Sequence, residues 1–232
     1  MPPAIGPNWL RVNTVNLGPV PSPVKTRTYR SQRRDEQAAS TRRAVLRAAR
    51  DLFVTRGYPD TTVADVARRA KVSIDTLYAS VGRKPQLLLA VHDMVLSSSE
   101  EPVAAEQRDY VAAIRAASDA HAKLTTYAEA LGRVFPHTVP LAESLRVAAQ
   151  TDAECRRVWD GLNERRAANM LQFARELRET GDLREDLTDE DVAHLVWTTN
   201  SPEFYRLTTA RGRTPEHYVA TVADLWTRTL LE

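Results

Sequence analysis

Cysteine occurs only once in the 232 residues, at Cys155, which excludes an internal disulfide. No Cys/His cluster has the spacing of a zinc site, so no metal is expected, and a lone thiol suits a reducing cytoplasm. Glycine is scarce, at 8 residues, and β-branched runs are few. Together with the many Ala, Leu, Arg and Glu residues, that balance disfavours strands and predicts an all-α fold. Long hydrophobic runs are missing as well. Trp9, Leu10, Val12, Val15 and Leu17 are interrupted by Arg11, Asn13, Asn16 and prolines, so there is no continuous apolar stretch, and neither a signal peptide nor a membrane span is expected. Also absent are G-x-S-x-G, a phosphate-binding glycine loop, and any pattern for a Ser/His/Asp or Cys/His arrangement. Acidic pairs such as Glu100/Glu101 and Glu185/Asp186 fall at expected helix ends, where solvation accounts for them. No catalysis and no cofactor are expected.

What is present is an uneven distribution of charge. Up to and including Lys84 there are 16 Lys/Arg against 6 Asp/Glu, a net +10, and the remainder carries 16 against 24, a net −8. The first third is therefore built to face a polyanion, for which nucleic acid is the natural candidate. Residues 1–38, with six prolines followed by Lys25, Arg27, Arg30, Arg33 and Arg34, read as a disordered basic arm. Either it is a solvated tail or it adds phosphate or minor-groove contacts.

From Thr41 the pattern becomes helical. Val45, Ala48, Ala49, Leu52 and Phe53 form one amphipathic stripe, with Ser40 or Thr41 as a cap and Gly57 as a stop. Val63, Val66, Ala67 and Ala70 follow Thr62, whose side chain can form a capping box with Asp65. Ser73 caps a third segment carrying Ile74, Leu77 and Val81. Two helices of about eight residues, joined by a tight turn at Lys71, Val72 and Ser73, match a helix-turn-helix, whose second helix enters the major groove. Lys71 stands where the turn favours glycine, so a left-handed backbone there costs roughly 1 kcal/mol.

The string TTVADVARRAKVSIDTLYASVGRKPQLL, residues 61–88, resembles the N-terminal region of TetR-family transcriptional regulators, and the preceding AVLRAARDLFVTRGYPDTT resembles that family's first helix and Gly-Tyr turn. The resemblance implies an all-α fold: a three-helix DNA-binding domain over residues 39–84 and a helical effector-binding and dimerisation domain over residues 85–232. It places Ser73, Asp75, Thr76, Tyr78 and Ser80 on the exposed side of the recognition helix and Lys84 at the start of the fourth helix. Thr62 and Ser73, at helix N-termini, suit phosphate. Tyr78 offers a ring to a sugar or thymine methyl, or else simply packs, and Lys84 offers a point charge to the backbone. Asp75, where many members have Gly, either accepts from a cytosine amino group or caps the helix. Ala79, Ser80 and Val81 also depart from the common residues, so base preference is expected to differ. Arg68, Arg69 and Arg83 read as solvated or phosphate-facing.

Beyond Pro85, helices are expected over 85–98, 102–118, 120–135, 140–150, 152–180, 189–210 and 215–231. Thr188 with Asp191 makes a second capping box, Thr214 caps the last helix, and Pro202 breaks or kinks the one before it. Val192, Leu195, Val196, Val219, Val222, Trp226 and Leu230 provide more apolar surface than a peripheral hairpin exposes, and the resemblance assigns residues 189–231 to a homodimer interface, the alternative being ordinary core. On the long helix, 100° per residue puts Trp159, Asn163, Arg166 and Met170 on one face. Asn163 and Arg166 therefore either line a pocket for an acidic ligand or, for Arg166, pair with a glutamate of a neighbouring helix. His121 and Tyr127 are further candidates for the same cavity, with Phe135, His137 and Met94 beside them. The expected function is a sequence-specific regulator, a repressor released from a palindromic operator in double-stranded DNA by a small-molecule effector. The alternative is an architectural or partner-binding DNA-binding protein with no small ligand.

Overall fold

The stripe from Val45 to Phe53 is the buried face of α1 (Thr26–Arg56), and the chain leaves this helix through Gly57 at φ 84°. The computed structural model describes residues 26–97 and 107–232. Residues 1–25 of the expected arm lie outside them, but residues 26–38 are helical, which corrects the expected disorder there. Ser40 and Thr41 consequently sit inside α1 rather than at its start. Gln, Ala, Arg and Glu precede them, and good helix formers carry a helix past a residue type that elsewhere would begin one.

Helices α2 (Val63–Ala70) and α3 (Ile74–Val81) follow, and then α4 (Lys84–Ser97). Lys71 has φ 58° and ψ 40°, the left-handed conformation the turn requires, and its N–H donates to the Ala67 and Arg68 carbonyls. After α5 (Asp109–Ala116) comes α6 (Ala120–Ala148), in which the two helices expected over 120–135 and 140–150 are one. Pro136 and Pro140 lie within it, each removing one backbone donor. The helix continues because Leu131 and Phe135 before the prolines, and Val139, Leu141, Ala142 and Leu145 after them, are all buried along one line. Helix α7 (Ala153–Arg178) is capped by Asp152, whose carboxylate accepts from the Glu154 and Cys155 amides. Pro202 breaks the expected 189–210 segment cleanly into α8 (Asp189–Thr199) and α9 (Pro202–Thr208), where it occupies the first turn behind the Ser201 cap. Helix α10 (Pro215–Leu230) closes the chain; Thr214 stands at its N-cap position but makes no side-chain cap bond.

The chain divides after Glu36, and Gln37–Glu232 forms the larger unit. That unit contains two apolar clusters. One joins α1–α4 through Val45, Phe53, Val66, Leu77, Leu88 and Val91, and it extends to Leu141 and Leu145 of α6 and Cys155 of α7. The other joins the first half of α6, the second half of α7 and helices α8–α10 around Trp226, Tyr218, Leu124 and Leu177. Helices α6 and α7 therefore belong to both clusters and tie them together. Val192, Val196, Val222, Trp226 and Leu230 lie in this second cluster at no more than 1% exposure. The apolar surface expected to cover a partner is thus largely spent inside the chain's own core, while Leu195, Trp197 and Val219 are only partly buried. Among the described residues no helix is long and apolar enough to cross a membrane, and no group of His, Cys, Asp or Glu is placed to hold a metal.

Candidate nucleic-acid interface and ligand cavity

Each end of the helix-turn-helix is fixed by local bonds. At the start of α2 the Asp65 amide donates to Thr62 Oγ1 at 3.1 Å, while the Thr62 amide and hydroxyl donate to Asp65 Oδ2 at 3.2 and 2.7 Å, a full capping box. Bonds from the Thr62 side chain and backbone, and then Arg68, hold the Asp65 carboxyl below its ordinary range. The Thr62 hydroxyl is thus engaged within the cap. At the start of α3, Ser73 Oγ accepts from the Thr76 amide at 3.1 Å and lies 2.8 Å from Thr76 Oγ1. Ser73 therefore supplies the cap for which Asp75 was the alternative. Asp75 stands exposed in the first turn, where its charge meets the positive end of the helix.

Asp75, Thr76, Tyr78 and Ala79 make the exposed face of α3, on the side opposite the buried Leu77. Tyr78 is 44% exposed, so packing does not account for it. Ser80 departs from the expected outward face. It is partly buried, its hydroxyl donates to the Leu77 carbonyl at 2.9 Å, and its own carbonyl accepts from Arg42 Nη1 at 2.5 Å. Lys84 is also more restrained than a free point charge: Nζ lies 4.3 Å from the Tyr58 ring centroid and donates to the Pro59 carbonyl at 3.3 Å, and burial lowers its pKa. Arg69 pairs with Asp51 at 2.7 Å and Arg83 approaches Glu154 at 3.6 Å, exposed contacts of the kind that contribute little stability. Tyr58, reaching Cys155 Sγ at 3.5 Å, and Gln86, donating to Glu154 at 3.2 Å, join this region to the start of α7.

Between the two clusters lies a cavity of about 720 Å³, a size that suits a small organic ligand. Of the residues expected there, Tyr127, Trp159, Arg166 and Met170 line it. Asn163 instead stands behind Arg166, bonding its Nη1 at 3.0 Å and the Trp159 carbonyl at 3.2 Å. His121 does not reach the cavity: it lies exposed in the first turn of α6 against Thr227 of α10, 3.3 Å from its hydroxyl. His137 is exposed on α6 and outside the lining, whereas Phe135 and Met94 are part of it.

One wall is polar. Arg166 Nη2 donates to the carbonyls of Trp197 and Asn200 at 3.0 and 3.1 Å and to Asn200 Oδ1 at 2.6 Å. These carbonyls belong to the C-terminal end of α8, which is left with acceptors and a partial negative charge. Asn200 Nδ2 in turn donates to the Tyr127 hydroxyl at 2.7 Å. Burial raises the Tyr127 pKa strongly, with Asn200, Arg166 and Arg108 acting against that rise. Among the described residues no carboxylate lies within ion-pair distance of Arg166, so the expected alternative of a glutamate partner does not hold. Asn200, Arg108 and Arg42 escaped the sequence reading. For Asn200 a signal existed, since a helix that ends before Ser201-Pro202 leaves carbonyls for a buried cation.

A buried apolar face behind an exposed, capped second helix defines the class: a helix-turn-helix DNA-binding protein of all-α fold. Residues 45–91 match the bacterial regulatory proteins of the tetR family. No curated protein matches the chain. Solved structures do. A TetR transcriptional regulator from Chloroflexus aurantiacus shares 15% identity over 84% of this chain and 98% of its own, with a TM-score of 0.60. A candidate transcriptional regulator from Saccharomonospora viridis in complex with choline shares 18% identity over 82% and 97%, with a TM-score of 0.61. The fatty acid degradation regulator FadR from Bacillus halodurans shares 17% over 80% and 94%, with a TM-score of 0.57. The chain carries the TetR-family DNA-binding domain on the fold of that family's regulators, and it is a DNA-binding transcriptional regulator.

Proposed function

We propose that this regulator is a cytoplasmic, ligand-responsive repressor that binds a palindromic operator as a two-fold homodimer through residues 189–231, where Leu195, Trp197 and Val219 remain only partly buried, and leaves it when a small-molecule effector fills the cavity. Residues 39–84 read DNA and residues 85–232 bind effector and partner. Within the DNA-reading unit, Tyr78 and Thr76 contact bases or sugars from the exposed face of α3. Ser73 and Thr62 set the helix N-termini against phosphates, Asp75 biases the choice of base, Ser80 holds the helix end, and Lys84 places a charge near the backbone. Two such helices about 34–36 Å apart read successive major grooves.

The observation that carries the ligand response is Arg42. Its guanidinium borders the cavity, where its buried Nε has no acceptor, while Nη1 bonds the Ser80 carbonyl near the end of the recognition helix. A ligand that moves Arg42 loosens that bond, and a small rotation of α3 misregisters a half-site. The presence of a cavity favours this reading over an architectural protein without a ligand.

Selection of bound duplexes from a random pool tests the DNA-reading unit, followed by salt-dependent affinity of the winner for wild type, Tyr78→Ala and Lys84→Ala. A palindromic winner, weakened binding by Tyr78→Ala and a salt slope shallower by about one phosphate contact for Lys84→Ala are expected. No enriched sequence, with all three proteins binding alike, would leave only non-specific attraction to the basic first third.

A further inference from the structure

The cavity's charge narrows the chemistry of its occupant. Five arginines and two carboxylates line it. Both carboxylates are already engaged, Asp93 by Arg165 at 3.2 Å and Glu176 by Arg115 at 3.1 Å. That leaves Arg42, Arg108 and Arg166 facing the space with only neutral partners among the described residues. Arg166 spends Nη2 and one Nη1 hydrogen on four oxygens, so its Nε–H and second Nη1–H have no acceptor among the described residues. Among the described residues Arg108 bonds only the Tyr110 hydroxyl, at 3.3 Å, and its buried Nε has no acceptor. A buried cation without a counter-charge is costly, and a site with several donors lacking acceptors is set up to take an anion. Toward α1 and α4 the lining includes apolar Leu46, Leu89, Ala90, Met94 and Leu96, with Phe135 and Trp159 between, alongside neutral polar groups such as Gln86 and Ser97.

We infer that the effector is an apolar molecule bearing one acid group, a carboxylate or a similar monoanion, whose charge is seated at Arg166 with Arg108 close by and whose hydrocarbon body fills the space toward α1 and α4. The inference rests on the reading that the cavity is an effector site. It excludes quaternary ammonium ligands such as the choline bound in the Saccharomonospora viridis structure, because such a cation would meet guanidiniums without a counter-charge. The polar wall also gives the ligand a direction, since the acid end lies against α7 and the end of α8 while the body reaches Leu46 of α1 and Arg42, the residue that bonds the recognition helix.

The test uses the full chain and the uncharged fluorophore N-phenyl-1-naphthylamine as a reporter of cavity binding, displaced by dodecanoate, 1-dodecanol or dodecyltrimethylammonium. In wild type, dodecanoate is expected to displace the reporter at least tenfold more strongly than the alcohol, with the ammonium weakest. In Arg166→Gln the acid-to-alcohol ratio should fall toward one, while Arg166→Lys, which keeps the charge, should retain part of it. Because the ratio is taken within one protein, a general loosening of the cavity cancels. If Arg166→Gln does not fold, the wild-type ratio and Arg166→Lys still decide. An acid-to-alcohol ratio near one in wild type, or an undiminished ratio in Arg166→Gln, would overturn the acid assignment and leave the effector cavity standing. A wild-type protein that does not bind the reporter would remove both.

Discussion

Replacing Arg42 by Met keeps an apolar stem beside Leu46 but deletes the guanidinium that bonds the Ser80 carbonyl at 2.5 Å. Two terms act on stability in opposite directions. The lost bond from a charged donor is worth about 1.5–3 kcal/mol, whereas the buried Nε that has no acceptor costs about 1–3 kcal/mol, and both disappear together. The net change in stability is therefore expected to stay within about 2 kcal/mol in either direction. The effect on regulation is larger. If occupancy of the cavity acts by drawing Arg42 away from Ser80, the ligand can weaken DNA binding by no more than that bond contributes, roughly 10- to 150-fold. Fluorescence anisotropy of a labelled selected operator, with and without saturating dodecanoate, measures the factor. Wild type should fall in that range and Arg42→Met should respond by less than about twofold, whatever its absolute affinity. An Arg42→Met protein that keeps the wild-type factor would refute the tether, and a wild-type factor well above the range would mean that more than one bond carries the coupling.

Two further substitutions test the packing that supports the site. A Cβ built on Gly132 of α6 would come 2.3 Å from Val219 Cγ2 of α10, and a β-branched side chain in a helix cannot turn away, so Gly132→Ala should destabilise the chain by about 1–3 kcal/mol in urea unfolding. Adding Val219→Ala should recover much of that loss, and independent effects of the two changes would contradict the contact. Lys71→Gly should raise stability by about 1 kcal/mol by removing the Cβ from a left-handed turn residue at φ 58°, and a loss of stability would show that the turn is not strained.

The helix-turn-helix is legible in the sequence because its signals are local. The boxes at Thr62 and Thr188, the Ser73 cap, the left-handed Lys71 and the break at Pro202 each depend on residues within four positions of one another, and each is found. What could not be read depends on partners far along the chain. The period of Val222, Trp226 and Leu230 reveals an apolar face but not what covers it, and the cover is the chain's own α6 and α8. His121 falls on a helix that borders the cavity, yet in its first turn it meets Thr227 of α10. Asn163 and Arg166 share a face and bond as their spacing allows, but the other three oxygens that receive Arg166 come from the end of α8, some thirty residues on. Pro136 and Pro140 misled because local rules end a helix at proline, and burial on both sides outweighed the two missing donors.

Occupancy of the cavity and reading of DNA are proposed to be one coupled equilibrium, and such coupling is reciprocal. The direct measurement is therefore a pair of titrations on the same protein: dodecanoate onto free protein and onto protein saturated with its selected operator, and operator onto protein with and without dodecanoate. The two Kd ratios should agree, both within the roughly 10- to 150-fold range set by the Arg42 bond. Dodecanoate that binds equally well whether or not the operator is present would contradict the coupling and make the cavity and the DNA-reading helices independent.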